Sequence, residues 1–182
     1  MQSNSLSAGF RSANSMVKSM NKEYVSIYQS PIGDLVLVSS DRYLLRVCPI
    51  HIYTGKIPTT PEDSLPIRLT KEWLDNYFSG HNPPTDTLPT NLCGTAFQQK
   101  CWALLQQIPY GHTVTYKDLA HHLAKDSQSG KMSCQAVGQA IRKNPIAIII
   151  PCHRVIGSNG ALTGYAGGLD LKEKLLILEK AI

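Results

Sequence analysis

The chain has 182 residues, 42% of them hydrophobic, and a formal net charge of +5 at pH 7. This length suits one domain or two small ones, and the hydrophobic content excludes a wholly disordered chain because a real core can form. The positive charge favours an anionic partner such as nucleic acid only mildly, since many basic proteins bind no DNA.

The N-terminus and the cysteines indicate the cellular compartment. The first residues are polar and lack the apolar stretch of a signal peptide, and no segment resembles a membrane span. We therefore expect a cytoplasmic protein without a membrane partner, at the nucleoid in a bacterium or in the nucleus of a eukaryote. There the five irregularly spaced cysteines stay reduced, so a special cysteine suggests chemistry rather than a disulfide. Cys48 and His51 have a ligand-like gap, but no second pair follows at zinc spacing, so we expect no metal site.

The N-terminal part of the chain is predicted to contain a leader and a small sheet. Residues 1–22 are rich in Ser and Asn and show no periodicity, which indicates a flexible leader. Residues 30–34 carry a strong turn signal. Short β-favouring runs on either side of it and beyond predict an antiparallel sheet with strands at 24–28, 35–38 and 43–47.

A helix and then a linker are expected next. Apolar residues at helical spacing predict a helix over residues 70–79. Residues 80–94 contain three prolines and two glycines, which is typical of a linker. We therefore expect a domain boundary here, between an N-terminal domain of residues 23–90 and a C-terminal domain of residues 91–182.

The C-terminal domain is predicted to be mainly helical. A helix is expected over residues 95–107, with Thr95 as its N-cap. Two further helices, at 116–124 and 133–143, are joined by a polar loop at 125–130. Such a pair resembles a helix-turn-helix, the unit that presents its second helix to a DNA groove, but it is a weak signal because adjacent helices are common.

One cysteine follows an apolar run. Residues 145–150 predict a buried extended segment, and Cys152 and His153 come directly after it. A thiol at that border can be partly exposed near positive charge, which would lower its pKa from about 8.5. The alternative is an inert core thiol, and the local residues alone favour that alternative.

Two side chains could act with this thiol. In an extended chain, successive side chains point to opposite faces, so His153 would reach the Cys152 sulfur only through a bridging water. Glu179 ends an amphipathic helix over 170–180 whose N-cap is predicted to be Asp170. It is either a frayed surface residue or a carboxylate that orients a histidine.

Six motifs together carry a family resemblance. The motifs are Ile108-Pro-Tyr-Gly-His-Thr-Val-Thr-Tyr116-Lys-Asp-Leu-Ala120, Ala136-Val-Gly138, Asn144-Pro145, Pro151-Cys-His-Arg-Val155, Gly164-Tyr-Ala-Gly-Gly168 and Leu175-Leu176 with Glu179. With these motifs in order, the chain resembles the O6-alkylguanine-DNA alkyltransferases over residues 24–182. This resemblance implies an α/β (α+β) fold, with a ribonuclease-H-like N-terminal domain and a C-terminal domain containing a helix-turn-helix.

The resemblance implies catalytic roles for several residues. Cys152 matches the alkyl acceptor, and His153 matches the residue that activates it through a water. Glu179 matches the carboxylate that completes this relay, and Asn144 the residue that shapes the active-site turn. Tyr116 matches a tyrosine that approaches the guanine and helps to donate a proton as the alkyl group leaves.

The resemblance also implies substrate and DNA contacts. The backbone of Cys152 and Val155 would accept hydrogen bonds from the guanine amino group. Tyr165 and Ala166 match the loop that covers the base, where the family often has a serine in place of Ala166. The expected contacts with DNA are made by Gln135, Ala136, Lys117, Arg142 and Ser158.

The implied reaction is the irreversible transfer of an alkyl group from O6 of guanine, and also from O4 of thymine, to Cys152. It would occur once per molecule, without metal or organic cofactor. The partner would be double-stranded DNA, approached from the minor groove with the damaged base flipped out, and the protein would act as a monomer.

Two features depart from the family pattern. Gln135 stands where the family commonly has an arginine that fills the gap left by the flipped base. It lacks the charge and the bidentate fork of arginine, so we expect weaker DNA binding or slower flipping. The stretch between Leu123 and Cys134 is roughly five residues longer than usual, which predicts an enlarged turn between the two helices.

Three other functions remain open at this stage. The first is a non-catalytic protein that recognises alkylated DNA, although such relatives lack the acceptor cysteine. The second is a cysteine hydrolase, which the direct adjacency of Cys152 and His153 disfavours. The third is a structural or DNA-architectural domain with an unreactive thiol.

Overall fold

A three-stranded antiparallel sheet forms the N-terminal half of the protein. The computed structural model describes residues 22–125 and 130–182, so the predicted leader up to residue 21 and loop residues 126–129 lie outside the described residues. The strands are adjacent in chain order, and Ile27 pairs with Val36 in the first hairpin. The sheet prediction is therefore confirmed, with strands β1 (Tyr24–Ser30), β2 (Gly33–Ser39) and β3 (Leu44–Pro49).

Helix α1 (Leu65–Phe78) covers one face of this sheet. It begins five residues before the predicted start at residue 70. The side chain of Ser64 caps the helix by accepting a hydrogen bond from the backbone N–H of Ile67, and Pro66 suits the first turn because it needs no N–H partner there. Ser64 and Pro66 are therefore the local sequence signal for the start of α1 at Leu65.

The C-terminal half is mainly helical, as predicted. Thr95 caps the first of its helices in a capping box with Gln98, and Ser133 caps a later one. A short parallel strand pair, which the sequence did not predict, joins two loops of this half. The elements are α2 (Ala96–Leu105), β4 (Val114–Thr115), α3 (Tyr116–Ala124), α4 (Cys134–Arg142), β5 (Val155–Ile156) and α5 (Leu169–Leu178).

Two local predictions are wrong. Residues 145–150 form a turn rather than an extended segment, because the N–H of Ile150 donates to the carbonyl of Ile146 at 3.0 Å and Ile148 has a φ of 72°. An apolar run indicates burial, but it does not distinguish a buried turn from a strand. Helix α5 follows Gly168, which has a φ of 94°, and Asp170 lies inside its first turn rather than at the N-cap.

A continuous hydrophobic core joins the two halves. It contains Leu37 and Val47 from the sheet, Trp102 from α2 and Leu175 from α5. Val47 also pairs through its backbone with the turn after α4. The domain boundary near residue 90 and the ribonuclease-H-like classification stay predictions. Within the described part of the chain, no helix is long and apolar enough to cross a membrane.

Candidate active site

Cys152 begins a short 3-10 helix, Cys152–Arg154, and is buried with 8% exposure. The Nδ2 group of Asn144 donates a hydrogen bond to its Sγ at 3.1 Å. Burial raises the pKa of the thiol because the charged form loses solvation, while the bond from Asn144 opposes this effect. Of the two alternatives left open by the sequence, the buried thiol, which the local residues favoured, is therefore the one found in the DNA-free protein, and the partly exposed thiol with a lowered pKa is not.

Asn144 also holds the turn that precedes the thiol. Its Nδ2 donates to the carbonyl of Ile150 at 2.8 Å, and its Oδ1 accepts from the N–H of Ile146 at 3.0 Å. One side chain therefore connects both ends of the turn to the sulfur of Cys152. This arrangement fixes the sulfur relative to the pocket that it lines.

His153 is fully buried and its two ring nitrogens lie in different surroundings. Nε2 is 2.7 Å from Oε1 of Glu179. Nδ1 has no hydrogen-bond partner among the described residues. Burial lowers the pKa of His153, against the raising effect of Glu179, so the ring is neutral at neutral pH. The neutral tautomer that fits carries its proton on Nε2 and leaves Nδ1 as a free acceptor.

The His153 ring lies in a 3-10 turn and not on an extended chain. The expectation that Cys152 and His153 lie on an extended chain, with their side chains on opposite faces, is therefore wrong. Its consequence stays a prediction: the proton of Cys152 would reach His153 through a water. The free Nδ1 atom is the acceptor that such a water would need.

Glu179 is 2% exposed, which excludes the frayed surface residue and leaves the inward carboxylate. Arg154 donates to it through Nε at 2.8 Å and through Nη2 at 2.9 Å. Burial disfavours the charged carboxylate, but the hydrogen bonds from His153 and Arg154 outweigh it and lower the pKa of Glu179 to about 2. The remaining donors are Tyr77 OH at 2.7 Å and the N–H of Gly111 at 3.2 Å.

The pocket beside Cys152 is walled by the loop at 164–167, by Arg142 and by the end of β3. Tyr165 in this loop is buried, whereas Ala166 is exposed. Burial and the nearby Cys152 raise the pKa of Tyr165 well above its usual value, so its hydroxyl stays protonated. The thiol of Cys152 and the phenol of Tyr165 therefore line the same small pocket.

Tyr116, the first residue of α3, approaches the same loop. Its hydroxyl donates to the carbonyl of Thr163 at 3.2 Å and lies 3.4 Å from that of Gly164. Burial and the proximity of Cys152 raise the pKa of Tyr116. A Cβ atom at residue 164 would stand 2.5 Å from the Tyr116 hydroxyl, so this close approach requires glycine.

Lys172 is a site residue that the sequence did not predict. It is fully buried, and its Nζ donates to the carbonyl of Val155 and, at 2.7 Å, to that of Thr163. Burial lowers the pKa of Lys172 to about 8, while Cys152 opposes this effect. The available signal was spacing, because Lys172 precedes the buried Leu175 and Leu176 by three and four residues on the same helix face.

Comparison with known proteins identifies the family of this chain. The family model for the DNA-binding domain of 6-O-methylguanine DNA methyltransferase matches residues 96–181. The methylated-DNA–protein-cysteine methyltransferase of Methanosarcina acetivorans is 42% identical over 161 residues, covering 86% of this chain and 97% of its own. This chain belongs to that family. The protein of the same name from Mycobacterium leprae is 40% identical over 153 residues, covering 83% of this chain and 88% of its own.

A solved structure extends the likeness to the whole fold. The Mycobacterium tuberculosis OGT in complex with DNA has a TM-score of 0.72 and 39% identity, covering 85% of this chain and 91% of that one. Membership in the methylated-DNA–protein-cysteine methyltransferase family makes the chain a DNA-binding methyltransferase of DNA repair. The predicted fold class and enzyme class are confirmed.

The residues expected to contact DNA lie apart from the buried relay. Gln135 and Ala136 are in the first turn of α4, where the side chain of Ser133 accepts from the N–H groups of both. Of the five residues expected to contact DNA, only Arg142 lines the Cys152 pocket. The exposed members of the set are Gln135, Lys117, Arg142 and Ser158.

Proposed function

We propose that the sulfur of Cys152 accepts an alkyl group from O6 of guanine, and from O4 of thymine, in double-stranded DNA. The observation that carries this proposal is the free Nδ1 atom of the buried His153 beside a thiol that lines a pocket. Glu179 fixes the ring in the tautomer that makes Nδ1 a base. The nucleophile and the base therefore lie on one 3-10 turn, and the carboxylate at the end of α5 orients the base.

The reaction is a displacement at the alkyl carbon. The proton of the Cys152 thiol passes through a water to His153 Nδ1, and the sulfur forms a bond to carbon. The bond between carbon and O6 breaks, and its electron pair goes to the guanine. Tyr116, whose hydroxyl stays protonated, supplies a proton to the leaving base. Because a thioether is a stable product, the acceptor is consumed and each molecule reacts once, without a metal or an organic cofactor.

The raised pKa of Cys152 fits a thiol that is activated only with its substrate bound. Burial keeps the sulfur protonated in the free protein, which protects it from other electrophiles. Deprotonation would then accompany attack, with His153 receiving the proton. Asn144, which donates to the sulfur, stabilises the developing negative charge.

Recognition of DNA would require base flipping, because the alkyl carbon is out of reach inside a duplex. We propose that α3 and α4 act as a helix-turn-helix, with α4 against the minor groove and Gln135 in the space left by the flipped base. Lys117, Arg142 and Ser158 would contact the DNA backbone. The loop with Tyr165 and Ala166 would cover the base, whose amino group would meet the carbonyls of Cys152 and Val155. Monomeric action and a cytoplasmic or nuclear location stay predictions.

The direct test measures the intact mass of the protein after incubation with a duplex containing O6-methylguanine. We expect a gain of one methyl group, mapped to the peptide with Cys152, and no gain with an undamaged duplex of the same sequence. Cys152→Ala should bind the damaged duplex and gain nothing. An unchanged wild-type mass with the DNA bound would point instead to a protein that only recognises the damage.

A further inference from the structure

Tyr77 reaches the relay from the other half of the protein. It lies on α1, is 1% exposed, and donates a hydrogen bond from its hydroxyl to Oε1 of Glu179 at 2.7 Å. The same oxygen lies 2.7 Å from Nε2 of His153 and accepts from Nη2 of Arg154 at 2.9 Å. The phenol therefore shares one carboxylate oxygen with the imidazole that we assign as the base.

The Tyr77 ring is held by its neighbours, so its hydroxyl has a fixed direction. Trp73 stacks on it with centroids 5.4 Å apart and an interplanar angle of 11°. Tyr110 meets it edge-on, with centroids 6.0 Å apart and an angle of 78°. Because both neighbours pack against its ring, rotation of the phenol away from Glu179 would disrupt the core.

We propose that Tyr77 is a positioning residue for alkyl transfer, which fixes Glu179 and shares its charge, and thereby sets how strongly His153 attracts a proton. The proposal rests on the proposed function of His153 as the base. A hydrogen bond from a neutral donor disperses the charge of a carboxylate, and in a buried site this effect is strong. The N-terminal half would then take part in the chemistry as well as in packing.

The titratable groups around His153 and Glu179 lie on several elements that pack against them. Arg154 and Cys152 lie on the 3-10 helix with His153, Lys172 lies on α5, and Tyr110 lies in the loop before β4. Arg154 supplies the positive charge that balances Glu179. With these groups constant, loss of the Tyr77 hydroxyl leaves more negative charge facing His153, which favours the imidazolium form.

The test is Tyr77→Phe, which removes the hydroxyl and keeps the ring. We expect the acidic limb of the pH profile of methyl transfer to move up by roughly half to one pH unit, hence a rate roughly three- to tenfold lower on that limb. The NMR titration of the His153 imidazole in DNA-free protein should move in the same direction. If neither midpoint moves, the proposal is wrong and Tyr77 serves packing alone.

Two further variants separate this role from packing. Tyr110→Phe removes a hydroxyl bonded to the carbonyl of Leu178 at 3.3 Å and leaves the donors of Glu179 intact. It should leave both midpoints in place, and an equal shift there would overturn the proposal. Incorporation of 3-fluorotyrosine at position 77 makes a stronger donor of the same shape, so both midpoints should move down, and a shift upward would contradict the proposal.

The same measurements distinguish failure of the role of Tyr77 from failure of the proposed function of Cys152. If the wild-type protein gains no methyl group at any pH, the assignment of Cys152 as acceptor fails. The His153 titration does not depend on that reaction and still measures the effect of Tyr77. If the wild-type protein is inactive but the His153 titration still shifts in Tyr77→Phe, the coupling between Tyr77 and His153 is supported and the proposed reaction is refuted.

Discussion

The relay and the surface expected to meet DNA are built in opposite ways. His153 and Glu179 are buried and hydrogen-bonded to partners from several segments of the chain. Gln135 and Lys117 are exposed on helices α4 and α3. Folding therefore places the relay before DNA binds, whereas the expected DNA contacts are made by exposed side chains. Substitutions in the relay should change stability and rate together, and substitutions on the surface should change affinity alone.

The largest effect is expected from Glu179→Gln. The substitution leaves the buried Arg154 without its counter-charge. It also places an amide N–H₂ group against the N–H donors of Arg154, where the carboxylate had accepted. Breaking a buried pair from one side costs about 3–5 kcal/mol, so the free energy of unfolding in urea should fall by about that amount. The rate of methyl transfer should fall as well, because a neutral amide oxygen is a weaker acceptor for His153 than the carboxylate that fixes its tautomer.

The matched control for this prediction is Glu62→Gln, which breaks the exposed pair of Lys22 and Glu62. Water screens that pair, so its loss should leave the unfolding curve unchanged. Equal curves for Glu179→Gln and Glu62→Gln would contradict the contrast between the two regions.

The next effect concerns Asn144→Ala, which removes the three hydrogen bonds that tie the turn to the sulfur. With about 1 kcal/mol for each bond to a neutral partner, the free energy of unfolding should fall by about 3 kcal/mol. The pKa of Cys152 should rise further, because the donor that opposes the effect of burial is lost.

Mass-mapped alkylation of Cys152 across a pH series measures this change in the thiol pKa. The control is Asn76→Ala, which removes one bond to the carbonyl of Glu72 on the exposed side of α1. It should alter neither the unfolding curve nor the alkylation of Cys152. A thiol pKa that stays constant in Asn144→Ala would refute the role given to Asn144.

Stability at mildly acidic pH should depend on His153. Burial lowers its pKa below 6.5 in the folded protein, so the unfolded chain binds a proton first as the pH falls. The stability contributed by the neutral ring is fully present above pH 6.5 and is lost as the pH falls toward the folded pKa. The slope is at most about 1.4 kcal/mol per pH unit. The pKa of Glu179, at about 2, places the corresponding loss for the carboxylate at lower pH, below about 4.5.

Urea unfolding at pH 7, 6 and 5 measures this dependence, with His153→Gln as the comparison. The variant should be less stable at pH 7 because its side chain fits the site poorly, but it should lose less stability between pH 7 and 5. Identical slopes for the two proteins would show that the ring is not held neutral by the fold.

The predictions made from the sequence succeeded where the signal is local. Thr95 and Ser133 were identified as helix boundaries because a capping side chain acts within three residues of its own position. The bounds of α3 were predicted correctly for a similar reason. These features depend on the nearest neighbours in the chain, which a single sequence displays.

The missed features depend on contacts between distant segments. Tyr77 and Glu179 are 102 residues apart, and no local pattern predicts their hydrogen bond. The turn before Cys152 was also missed, because in it Ile148 adopts a positive φ, which an isoleucine does only when surrounding packing requires it. The family motifs predicted which residues react, and that assignment stays a prediction, whereas the direction of the Cys152 pKa could be assigned only from the structure.

The smallest effect, and the sharpest test of the exposed region, is Gln135→Arg. An arginine in the first turn of α4 adds one charge at the predicted DNA contact, so affinity for damaged duplex should rise about tenfold or less, with a steeper salt dependence. The unfolding curve should stay unchanged because Gln135 is exposed.

The control variant Gln29→Arg adds the same charge on β1, away from α4, and should leave affinity for the damaged duplex nearly constant. Fluorescence anisotropy across a salt series measures both. If the two variants behave alike, net charge alone controls binding and the surface around Gln135 has no special role. If Gln135→Arg also destabilises the protein, then the exposed surface around Gln135 is not independent of the folded structure, and the contrast with the buried relay is wrong.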